Sequence, residues 1–102
     1  MGFFSLLFRT GQLNDDPNQK ALANILLEAG IYQSSVYMKG KPLNFKEVMK
    51  IVDEAGWSNK EAANRFIHAA SMIKPIADEA TFLAAKDEAK RLYMTYTSLP
   101  RW

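Results

Sequence analysis

Cysteine is absent from this 102-residue sequence, which removes disulfide bridges, thiol nucleophiles and zinc–thiolate sites from consideration. Histidine occurs once, at His68, so a serine–histidine–acid relay would have a single base to draw on, and no Gly-x-Ser-x-Gly elbow accompanies it. His68 lies between Ile67 and Ala69 at the border of an apolar helical stripe, which gives it a structural role rather than that of a general base. The five glycines are dispersed and no Gly-Lys-Ser/Thr triplet occurs, so a phosphate-cradling loop is missing. Acidic residues come as neighbours, Asp15-Asp16, Asp53-Glu54, Asp78-Glu79 and Asp87-Glu88, and adjacent helical side chains diverge by about 100° instead of converging on a metal. An EF-hand loop is absent, and Arg65-Phe66-Ile67-His68 stands where a di-iron bundle would need Glu-x-x-His. Neither a cofactor, a metal, a small-molecule substrate nor an enzymatic activity is expected.

Charge of one sign is also scarce. Thirteen basic against eleven acidic side chains leave a net charge of +2, too slight an excess to announce a phosphate-binding footprint. Long apolar runs are missing too. Phe3, Phe4, Leu6, Leu7 and Phe8 crowd the opening segment but fall far short of the roughly 20 residues of a membrane span. That segment has no basic start and no Ala-x-Ala-like cleavage site, and Leu6 occupies the place where a myristoylation signal carries Ser or Thr. It reads as an apolar strap over residues 1–14, and the chain as cytoplasmic.

What is present is material for one domain: 48% hydrophobic and 24% charged residues sit near globular averages. Periodicity and breakers predict four helices, over 15–30, 44–56, 58–74 and 76–98, hence an all-α fold. In the first, Asp15 or Asp16 caps a helix opened by Pro17, with Ala21, Leu22, Ile25, Leu26 and Ala29 on one face and Gly30 as the stop. Ile31, Tyr32, Val36 and Tyr37 then favour extended structure, so a short β segment near 31–43 and an ordered loop stand side by side as readings, and pairing of that segment with Phe4-Leu6-Phe8 into a two-stranded ribbon is the minority one.

The densest signal runs from Asn44 to Lys74. Asn44 with Glu47 and Ser58 with Glu61 each set a capping oxygen three residues ahead of a carboxylate, and Gly56 supplies a left-handed stop between them. Phe45, Val48, Met49, Val52 and Ala55 form one stripe; Ala62, Ala63, Phe66, Ile67, Ala70 and Ile73 form the next, ended by Pro75. In the last helix, Phe82, Ala85, Ala89, Leu92, Tyr96 and Leu99 alternate steps of three and four, a seam that needs a partner helix inside the chain or in another copy.

Val48 to Ile67, with Gly56 in the turn and Ile51, Ala55, Trp57 and Ala62 at packing places, resembles a helix-turn-helix unit, the DNA-reading motif of many bacterial regulators. The resemblance implies a recognition helix starting near Asn59, with Lys60 and Asn64 facing the nucleic acid and Arg65 as a backbone contact. The chain departs from that pattern at Arg65, which falls where the family buries an aliphatic residue, while Phe66 comes one step late.

The favoured reading is a non-enzymatic interaction or accessory protein. Four stripes, the Phe-rich opening, several tyrosines and Trp102 exceed what a small bundle covers, which points to a protein partner or a homo-oligomer. Phe3, Phe82, Leu92 and Tyr96 are the expected interface residues, and a DNA-binding regulator using Lys60, Asn64 and Arg65 is the alternative.

Overall fold

Four caps set the frame. The structure, a computed structural model, describes residues 15–35 and 43–98. The Asp16 carboxylate accepts from Asn18 N–H at 2.9 Å and opens helix α1, Pro17–Ser34, with Pro17 in the first turn. Asn44 Oδ1 accepts from Glu47 N–H at 3.3 Å and opens α2, Phe45–Ala55. Ser58 Oγ accepts from Glu61 N–H at 3.1 Å and opens α3, Asn59–Ile73. Asp78 Oδ1 accepts from Thr81 N–H at 2.7 Å and opens α4, Glu79–Thr97. Each cap satisfies a backbone donor that the helix itself cannot, an effect of about 1 kcal/mol apiece.

The stops follow the same local logic. Gly56 adopts φ 72°, the left-handed conformation that residues with a Cβ avoid, and Trp57 N–H then reaches back to the Val52 carbonyl at 3.2 Å. After Ile73, Pro75 offers no N–H, and a short turn closes instead through Ile76 and Ala77 N–H to the Ile73 carbonyl. This reverses the chain, so α4 runs antiparallel to α3.

Asp78 couples this frame to pH. The Thr81 backbone N–H, joined by the Thr81 hydroxyl, holds the Asp78 carboxyl below its ordinary value of 3.8. Because the folded pKa is the lower one, the cap's contribution is complete above about 3.8 and disappears as pH falls through the folded value. Asp78→Ala should therefore melt earlier than wild type at pH 7, and the two melting curves should converge in strong acid. A gap that persists at pH 2 would contradict this.

The architecture is all-α, and among the described residues there is no strand. Helix α4 lies against both α3 and α1, while α2 packs mainly on α1 in the opposite direction. One apolar cluster runs through all four helices: Leu22 and Leu26 from α1, Val48 and Val52 from α2, Phe66 and Ile73 from α3, Leu92 and Tyr96 from α4. Phe66 is its largest fully buried side chain and meets the edge of the Tyr96 ring at a centroid distance of 4.9 Å. Alanines fill the core around it, with Ala62, Ala63, Ala69 and Ala70 buried on α3 and Ala85 and Ala89 on α4.

Three features depart from the sequence reading. Gly30 does not stop α1, which continues to Ser34; Gly30 is buried inside the helix, where an added Cβ would sit 2.5 Å from the Thr81 carbonyl oxygen. Glycine is there for a close helix crossing, not for a turn. The short β segment is corrected at its start, since Ile31 to Ser34 are helical and Ser34 Oγ lies 3.2 Å from Thr81 Oγ1 on α4. Packing against α4 overrides the extended preference of Ile31 and Tyr32; residues 36–42 and the strap over 1–14 lie outside the described residues. The stripes are also rotated slightly. Ile51 and Ala69 are buried, whereas Phe45, Met49 and Ile67 are 40–46% exposed.

Candidate functional site

A long polar side chain decides which way the α2–α3 hairpin can face. Arg65, on α3, is drawn inward: its Nη1 donates to Gln19 Oε1 at 3.2 Å and to Asp16 Oδ2 at 3.4 Å, and its Nη2 donates to Glu61 Oε2 at 2.9 Å. Gln19, fully buried, returns a bond from Nε2 to the Arg65 carbonyl at 2.9 Å. The guanidinium also stands 4.6 Å over the Trp57 ring. This clasp satisfies the buried amide and fastens α3 to the start of α1. Arg65 was expected at the phosphate backbone of DNA; with its donors committed to three partners of its own chain, it belongs to the scaffold.

His68 sits on the same helix, where partial burial and then the Arg65 charge hold its imidazole below the ordinary 6.5. The neutral form is favoured at pH 7. Its folded pKa being the lower one, protonation as pH falls costs stability. Glu88 is a second scaffold group: a buried carboxylate on α4 that accepts from Arg91 one turn on. No buried side-chain nitrogen or oxygen lacks a partner among the described residues. Nor do three or more metal-ligating groups converge among them.

The expected interface residues separate. Phe3 lies outside the described residues. Phe82 is half-buried against the core, with Lys74 Nζ 5.6 Å above its ring. Leu92 and Tyr96 are 3% and 5% exposed, which corrects their reading as contact residues: the seam of α4 finds its partner helices inside the chain. Tyr96 stacks between Phe66 and Phe45, and burial, with the Asp53 charge behind it, raises its phenol above the usual value of 10.0.

The surface that remains lies one helical step away. Lys60 and Asn64 are exposed on α3 and line an open groove of about 520 Å³ with Ser58, Ala63, Tyr93 and Thr97. Side chains recurring at i, i+4 and i+7 share a face of a helix. Lys60, Asn64 and Ile67 have that spacing on α3, and Lys86, Lys90 and Tyr93 have it on α4; all six are exposed. Between the antiparallel helices they form one stripe with Ile67 and Tyr93 as apolar members and lysines around them. Leu83 and Met94, 49% and 68% exposed, flank it on the outer side of α4. The sequence reading placed Ile67 in the core; the repeated Lys-x-x-x-Lys/Asn-x-x-Tyr/Ile spacing was the signal that marked this face.

Among the described residues no helix is long and apolar enough to cross a membrane. No protein-family model matches the chain, and neither a curated protein nor a solved structure does.

Proposed function

We propose that this protein acts without catalysis, as a small helical interaction protein that docks a protein partner, or a second copy of itself, through the outward face of α3 and α4. One observation carries the reading. After the core closes, Ile67, Leu83, Tyr93 and Met94 remain 38–68% exposed on two adjacent helices. Apolar and aromatic side chains grouped on one surface are what protein contacts bury, since they offer large area at small entropic cost.

Light scattering over a concentration series, followed by affinity capture with the purified chain as bait, tests this. A species larger than the monomer, or a stoichiometric captured protein, should be present with wild type and lost with Tyr93→Glu together with Met94→Glu. Circular dichroism should show the variant folded, because both positions are at the surface. A strictly monomeric chain that captures nothing would overturn the proposal.

Exposure of Lys60 and Asn64 on the lip of one groove supports a second reading, a duplex DNA contact through the hairpin. Titration with duplex at low salt tests it, since phosphate-driven affinity falls steeply as salt rises. Absence of binding at low salt ends that reading.

A further inference from the structure

We infer that the α3–α4 face takes an acidic, amphipathic protein segment, with apolar side chains of that segment against Ile67 and Tyr93 and its carboxylates against the surrounding lysines. The inference rests on the docking function proposed above and names its partner's chemistry. Four lysines stand along the stripe: Lys60 on α3, Lys74 just past its end, and Lys86 and Lys90 on α4. Among the described residues Lys60, Lys86 and Lys90 form no ion pair, and Lys74 lies over the Phe82 ring. The carboxylates that could neutralise them are displaced. Glu61 is bound to Arg65 and Glu88 to Arg91. Asp78 is engaged with Thr81 at the α4 cap, which leaves Glu79, two turns before Lys86, and Asp87, one turn before Lys90, as two carboxylates against four lysines.

The groove between α1 and α2 has a more acidic lining, with Glu28, Glu47 and Glu54 beside Lys50. A segment bearing carboxylates would be steered to the lysine side and repelled from the other.

The anatomy favours protein over nucleic acid. Planar, bidentate phosphate recognition draws on arginine, and Arg65 is committed to Asp16, Gln19 and Glu61, with Arg91 held by Glu88. Among the described residues what remains on this face is lysine around an apolar centre, the arrangement of a protein interface with a buried middle and a wet rim.

A synthetic helical peptide with Leu and Phe on one face and Glu on the other is the probe, titrated into the isotope-labelled full chain and followed by amide NMR. Saturable shifts should centre on Lys60–Ile67 and Lys86–Tyr93, weaken with salt, and require about tenfold more peptide in K86E/K90E, as expected for reversing two exposed charge contacts. Lys60→Glu on the other helix should weaken binding in the same sense. The three lysines are exposed and unpaired, so both variants should retain the wild-type fold by circular dichroism. If a Gln-for-Glu peptide binds equally well and the lysine variants change nothing, the face docks proteins but the acidic partner is wrong. If no amphipathic peptide of any charge shifts these amides, the docking function falls as well. Preferential binding of duplex DNA over the acidic peptide, or salt-sensitive oligomers dissolved by the same lysine variants, would hand the face to nucleic acid or to a second copy and overturn the partner named here.

Discussion

Phe66→Ala should lower the unfolding free energy by about 3–5 kcal/mol, a large share of the roughly 5–15 kcal/mol that a domain has in total. Phe66 is fully enclosed, and its ring is the bulk that fills the space between α3, α4 and α2. The surroundings cannot collapse to replace it. Its neighbours along α3 are Ala62, Ala63, Ala69 and Ala70, which have no longer rotamers to swing into a void, and α4 adds Ala85 and Ala89 to the same cluster. Removing the ring also deprives Tyr96 of an edge contact and leaves Phe45, 40% exposed, as its remaining aromatic neighbour. Urea unfolding followed by circular dichroism measures the loss, and Phe66→Leu should recover much of it by refilling the space. An unchanged midpoint for Phe66→Ala would mean that the core is not organised around this residue.

Gly30→Ala carries the second large effect, and its sign separates two accounts of the same residue. A glycine that merely ended a helix, or sat idle within one, would be improved by alanine, by up to about 1 kcal/mol of helix propensity. Gly30 instead faces the Thr81 carbonyl, 2.5 Å from where the new Cβ would be, with the Ala85 Cβ and Thr81 Cγ2 each 3.1 Å away. The nearest obstacle is backbone, so α1 and α4 must separate along their whole contact. Overpacking of this kind costs about 1–3 kcal/mol, which outweighs the propensity gain and leaves a net loss of about 1–2 kcal/mol. Gly30→Val should lose more. Stabilisation by alanine would disprove the close crossing.

The parts of the fold that were legible in the sequence obey local rules. Asp16, Asn44 and Ser58 cap where a short polar side chain precedes a helical pattern, Gly56 turns where a left-handed residue is needed, and Pro75 stops a helix that cannot pass it, whereas the last helix opens at its Asp78 cap and not at residue 76. The α4 seam of Ala85, Ala89, Leu92 and Tyr96 is buried as its three–four spacing requires. What escaped depends on contacts distant in sequence. Gly30 owes its place to Thr81, and Ile31 to Ser34 stay helical because α4 is there to receive them. Arg65 presents itself in sequence as a free cation beside Lys60; its partners Gln19 and Asp16 stand 46 and 49 residues away. The same limitation affected the candidate surface. Exposure of Lys60 and Asn64 followed from helical phase, but Leu92 and Tyr96 were expected outside because the stripe could not reveal that its partner lay within the chain.

The buried face of α3 is rich in alanine, with Ala62, Ala63, Ala69 and Ala70, and so smooth a rail permits the helix to slip by a turn against its neighbours with little loss of buried area. The Gln19–Arg65–Asp16 clasp acts as a ratchet stop. Displacing α3 by one turn, about 5.4 Å, against α1 would strand the buried amide of Gln19 and take from the guanidinium its partners Gln19 and Asp16, leaving it Glu61 of its own helix, so only a single alignment satisfies the whole clasp. A chain with so few bulky knobs thereby obtains one native alignment from polar geometry, and the spacing of any groups displayed along its exterior is fixed with it.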